Sequence, residues 1–229
     1  MKSKQYIIDG ITIYVTKRST NRRIRLSIAG NGQVKISMPH WLPYNVALEF
    51  AKSKIDWIKQ KSPAPVILEP NRKVGKNHRL LFKTTDKSSI TTRLNELEAI
   101  VYIPKDISIN NPLVQDAAKR VIKKALLSQA KTLLPIRLRQ LAIQCGYSYN
   151  EVKIKSLKTR WGSCDSHQNI TLNLYLMELP WELIDYVLLH ELNHTKIMQH
   201  NPKFWNTLTT NLPDCLELKK QLRSYPTLA

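Results

Sequence analysis

The sequence predicts an α+β protein on three grounds: short β-branched runs fill its first third, a long helical periodicity follows Pro112, and a second apolar helix starts near Pro180. Residues 6–8, 11–15, 24–28 and 34–37 alternate or are β-branched, and Asp9-Gly10 and Gly30-Asn31-Gly32 punctuate them, so hairpins are expected. After Pro39 and Pro43 the apolar spacing changes to Val46, Phe50, Ile55 and Ile58, with Trp57 alongside, which predicts an amphipathic helix ending near Lys61. Ser62-Pro63-Ala64-Pro65, followed by Pro70, is the best linker candidate. Residues 79–83 and 99–103 read as further strands between polar loops. From Pro112 to about Cys145, Val114, Ala117, Val121, Ala125 and Ala130 keep a helical spacing. Gly146 is placed to end that helix, and Pro135 to kink or divide it. Lys119, Arg120, Lys123, Lys124, Lys131, Arg137 and Arg139 are expected on its wet face. Residues 152–154 and 170–174 look like strands on either side of the loop Arg160-Trp161-Gly162-Ser163-Cys164. The expected organisation is a β-rich, basic N-terminal part with one helix over residues 1–111, and a second part over residues 112–229.

Composition narrows the classes. With 229 residues and 42% hydrophobic content the chain can bury a substantial core. No stretch approaches the roughly eighteen uninterrupted apolar residues of a membrane span, and no apolar run follows the first lysines, so neither insertion nor export is expected. Cys145, Cys164 and Cys215 are odd in number and form no CxxC pair. They predict neither a disulfide framework nor a thiolate zinc knuckle, and they favour a reducing, cytoplasmic compartment. The formal charge of +19 is spread along the chain: residues 1–110 hold 20 basic and 8 acidic side chains, and residues 111–229 hold 16 and 9. Such a field attracts DNA or another polyanion through phosphate neutralisation and counterion release. A solvated basic surface is the competing reading.

The most specific feature lies between Trp181 and His200. His190-Glu191-Leu192-Asn193-His194 is an HExxH arrangement inside an apolar helical segment. Residues four apart share one face of a helix, so both imidazoles can reach a single ion, while Glu191 is turned about a hundred degrees round the axis. It can therefore reach an attacking water without occupying the metal. Five letters alone arise by chance in on the order of one per hundred chains of this length, so context decides. The helix is one part of that context, and His200, six residues after His194, is the other. Three histidines meet the usual requirement of a catalytic zinc site, three protein ligands with one position open. Asp214 and Glu217 are weighed as alternative third ligands. His40, His78 and His167 stand apart and read as surface residues.

These residues also carry a family resemblance. Arg160-Trp161-Gly162-Ser163-Cys164, Ile170 to Asn173, Pro180, Ile184-Asp185-Tyr186-Val187, the HExxH run, His200 and Phe204-Trp205 resemble the YgjP-like metallopeptidases, relatives of the SprT and WLM groups. Arg22 to Leu26, Val34 to Pro39 and Lys54 to Ile58 resemble that family's opening hairpin and helix. Asn193 departs from the pattern, standing where a small residue, often alanine, is usual; residues 62–110 have no anchoring motif. The resemblance implies a zincin-like core, an active-site helix beside a small sheet, over residues 112–229. It implies one zinc ion on His190, His194 and His200, Glu191 as general base, and a protein or peptide substrate. A sheet edge, expected at residues 170–174, would align that substrate by backbone pairing. Asn173 is expected either to bond substrate or to brace a turn, and Arg160 to hold an anion or support a ligand. Trp161, Phe204 and Trp205 are expected in the core, Cys164 as a structural thiol, and Asp185 as a solvated helix residue or an orienting partner for an imidazole. A nucleic-acid-associated binding protein with a structural or vestigial metal site is the alternative reading, and a hydrolase of other amides a third. Protease action near DNA would unite the first two.

Overall fold

Asp9 and Gly10 both adopt positive φ, 48° and 75°, the backbone of a tight primed turn, and they join strands β1 (Lys4–Ile8) and β2 (Ile11–Arg18) in an antiparallel hairpin. The computed structural model describes residues 3–28, 32–61 and 67–225; Gly30, Asn31 and the expected linker 62–65 lie outside them. Strand β3 (Arg25–Ile28) does not continue a simple meander. The next strand, β4 (Val34–Pro39), inserts between β2 and β3, parallel to the first and antiparallel to the second, giving the order β1-β2-β4-β3. The expected single helix is two: α1 (Tyr44–Ser53) and α2 (Ile55–Lys61), separated at Lys54, whose φ of −112° leaves the helical region. Ile13, Val15, Val34, Ile36 and Met38 of the sheet share a core with Ala47, Ala51 and Ile58 of the helices.

These elements form one compact unit, Met1–Val66, and Ile67–Ala229 form another. The second unit opens with strands β5 (Lys73–Val74), β6 (His78–Thr85), β7 (Thr91–Leu94) and β8 (Glu98–Pro104), in the order β5-β6-β8-β7. β5 and β7 escape sequence reading because they are two and four residues long and mostly polar. Helix α3 (Pro112–Gln144) follows, with Asn111 Oδ1 accepting from the Leu113 amide and Pro112 in the first turn. An expected boundary at 111/112 therefore needs correcting. Leu80, Ala99, Val101 and Ile103 of the sheet and Val114, Ala117, Val121 and Ala125 of α3 fill one core, because neither apolar face is buried without the other.

Pro135 does not divide α3. The carbonyl it would deprive of a partner belongs to Lys131, an exposed residue. Gly146 ends the helix as expected: at φ 65° it lets the Tyr147 amide donate back to the Ala142 carbonyl. Strands β9 (Val152–Lys155), β10 (Gly162–Cys164) and β11 (Ile170–Asn173) then form a sheet in the order β10-β11-β9. A 3-10 turn (Leu174–Glu178) leads into α4 (Trp181–His194), followed by α5 (Pro202–Asn211) and α6 (Cys215–Leu222). The α+β class expected from the sequence is the one observed. No helix among the described residues is long and apolar enough to cross a membrane.

Candidate metal centre

Helix α4 is buried along most of its length through Leu183, Ile184, Val187, Leu188 and Leu192, so its last turn is held rigidly. That turn presents His190 and His194 on one face. After Thr195 the chain leaves the helix and returns His200 to the same point. The three Nε2 atoms stand 3.2 Å (His190–His194), 3.2 Å (His194–His200) and 3.0 Å (His190–His200) apart. Ligands about 2.0–2.1 Å from a tetrahedral ion stand about 3.3 Å from one another, so the triangle has the size that such an ion needs. The Ile197 carbonyl accepts from His194 Nδ1 at 3.1 Å, which fixes the proton there and leaves the Nε2 lone pair facing the triangle. Burial, with the neighbouring His194 and His200, pushes His190 down to about 3, and burial also lowers His194. Both are neutral at physiological pH and free to ligate. Among the described residues these three form the one cluster of potential ligands, and Asp214 and Glu217 do not join it.

The surrounding walls are aromatic. Phe204 is fully buried, and its ring centre lies 5.0, 4.7 and 4.8 Å from those of His190, His194 and His200. Trp205 stacks on His200 at 28° and carries Lys219 Nζ 3.9 Å from its ring centre. Thus His200, the one member of the cluster on an exposed loop, is packed against α5. Pro202 and Asn201, whose side chain accepts from the Phe204 amide, start α5 in the register that achieves this.

Glu191 is 6% exposed, and burial pushes its carboxyl up to about 8, against the opposing charge of Arg160. It lies against the backbone of β10. A Cβ on Gly162 would sit 2.7 Å from Glu191 Oε1 and 2.8 Å from its Cγ, so the strand can approach this closely only because that residue is glycine.

The YgjP-like metallopeptidase domain family matches residues 22–225. The chain belongs to this family. No functionally curated protein matches it. Among solved structures it is similar to the metallopeptidase zymogen abylysin of Pyrococcus abyssi, with 24% identity over 40% of this chain and 93% of that one and a TM-score of 0.37. It is also similar to the zymogen jannalysin of Methanocaldococcus jannaschii, with 28% identity over 39% and 93% and a TM-score of 0.35.

Several expected roles in this YgjP-like metallopeptidase change once neighbours are known. Asn173 is not a substrate ligand: it is fully buried, donates to the carbonyls of Leu157 and Arg160, and accepts from the amides of Leu157 and Tyr175. It braces the loop that precedes β10. The strand at 170–173 is central, not an edge; β10 and β9 are the edge strands, and β10 packs against α4. Asp185 neither orients an imidazole nor stays solvated, because Arg137 of α3 donates to it from Nε at 2.7 Å and from a terminal nitrogen at 2.6 Å. His78 is buried rather than on the surface, bonded to Gln129 and to the Asn95 carbonyl. Cys164 is half-buried, and burial with the nearby Glu191 pushes its thiol up to about 11, which keeps it unreactive. Asn193, the departure from the family pattern, is fully buried, donates to the Phe204 carbonyl at 2.8 Å and accepts from the Tyr147 hydroxyl at 3.0 Å. It ties α4 to the helix that carries the aromatic wall.

Proposed function

We propose that this metallopeptidase hydrolyses peptide bonds with one zinc ion on His190, His194 and His200 and with Glu191 as general base. The observation that carries the reading is the convergence of three imidazoles on one point, with the buried Glu191 next to the first of them in the same helix. Zinc, when bound, polarises the scissile carbonyl and makes water acidic enough to attack near neutral pH. Glu191 takes the proton of the attacking water and delivers it to the leaving nitrogen. The β10 edge, Gly162 to Cys164, pairs with an extended peptide and lays its scissile bond along α4. Arg160, exposed at the start of that edge, keeps positive potential on Glu191 and favours its ionised form.

A structural zinc is normally closed by four protein ligands. The cluster offers three, which favours chemistry over a structural site. Removing metal with a chelator should abolish cleavage of an unfolded protein substrate, and one equivalent of zinc per chain should restore it. Activity that survived complete metal removal would end the proposal.

Gly162→Ala provides a finer test. The added methyl meets the Glu191 Cγ as well as its oxygen, so the carboxylate has to move. A misplaced catalytic group costs up to about 10²-fold, and we expect kcat/KM to fall by about that factor with the zinc content unchanged. Unaltered turnover would show that the position of Glu191 against β10 does not matter.

A further inference from the structure

In the N-terminal unit, α1 and α2 cover one face of the sheet, and the strand alternation sends a different set of side chains to the other. Register places Tyr14 of β2 directly beside Lys35 of β4 on that second face. The adjacent row runs Thr16, Ser37 and Arg25 across β2, β4 and β3, and Arg18 follows at the end of β2. Lys35, Arg25 and Arg18 are exposed, Tyr14 is partly exposed, and none of the three cations is in an ion pair among the described residues. The four strands contain no Asp or Glu. Charge is also concentrated in this unit: residues 1–66 hold 12 basic and 3 acidic side chains, a net +9, whereas the other 163 residues hold 24 and 14. Per residue the field of the first unit is about twice as strong.

We propose that this sheet face binds a single-stranded polynucleotide, with Tyr14 stacking on a base and Arg18, Arg25 and Lys35 neutralising successive phosphates. An aromatic ring set among cations and hydroxyls repeats the alternation of base and phosphate along an unpaired strand. A duplex offers no free base to the ring, and an acidic protein would engage the cations while leaving Tyr14 unused. The proposal goes beyond the peptidase reading and does not depend on it, since binding is measured without cleavage.

The test is fluorescence anisotropy of the full chain with a labelled oligothymidylate of about fifteen nucleotides, long enough for one such site, against a duplex of equal length. Tighter binding of the single strand is expected, with a log–log salt slope near −2, as about three neutralised phosphates would give. Tyr14→Leu should weaken it about tenfold with the slope unchanged, and Tyr14→Phe, which keeps the ring, should restore it. Arg25→Glu with Lys35→Glu should weaken it by more than tenfold and flatten the slope. The far-ultraviolet circular dichroism and melting profile of all three variants should match those of the wild type, which separates loss of binding from loss of fold without calling on catalysis; Arg25→Gln with Lys35→Gln serves if the reversals unfold. Equal affinity for duplex, equal affinity of the leucine and phenylalanine variants, or no binding at low salt would each overturn the proposal.

Discussion

Glu191→Gln is expected to abolish proteolysis while one zinc remains bound per chain. Glutamine keeps the shape of the carboxylate and fits the same contact with Gly162, but it accepts no proton at working pH. General base catalysis contributes about 10²–10⁴-fold, so kcat/KM should fall by at least that range, equivalent to about 3–5 kcal/mol of barrier. The pH dependence has a definite sign. Burial, opposed by the charge of Arg160, pushes Glu191 up to about 8, which would leave it protonated and idle at neutrality. A dication on the neighbouring imidazoles would favour the ionised form further and bring the group below that value. Wild-type activity should therefore rise with pH through the Glu191 ionisation, on an acidic limb lying below 8. Kinetics on an unfolded protein substrate, with metal content measured on the same samples, decide the matter. Full activity in the glutamine variant would remove Glu191 from the mechanism.

Much of this architecture was legible without coordinates because its signals are local. Strand alternation, the Asp9-Gly10 turn, the Pro112 start and Gly146 end of α3, and the four-residue spacing of His190 and His194 are each set by neighbours in sequence. What stayed hidden depends on partners far along the chain. The insertion of β4 between β2 and β3 is a choice between pairings that alternation alone does not distinguish. The bond between Arg137 and Asp185 spans 48 residues, and that between Tyr147 and Asn193 spans 46. A basic residue on an otherwise wet helix face, or an asparagine in an apolar helix, signals only that some partner exists. The contact of Glu191 with Gly162 stayed hidden because the sequence reads residues 160–164 as a loop, whereas Gly162 to Cys164 form strand β10. Its meaning required knowing which helix lay against that strand.

His190→Ala and His194→Ala should each lose both zinc and activity, and the reason is geometric. Two imidazoles left on the triangle give an ion two bonds instead of three, and His200 in particular depends on its aromatic wall rather than on a helix for its position. Loss of an outer partner of a metal ligand costs about 10–100-fold in affinity or activity, and loss of the ligand itself should cost more. Stability supplies a readout separate from catalysis. Zinc that binds only the folded chain stabilises it by about 4 kcal/mol when free zinc is a thousand times its dissociation constant. A chelator should thus lower the wild-type melting temperature and leave those of His190→Ala and His194→Ala where they are. If either variant kept stoichiometric zinc, or melted like the wild type with and without chelator, its imidazole would not be a ligand. The convergence of the three nitrogens would then be a feature of packing alone.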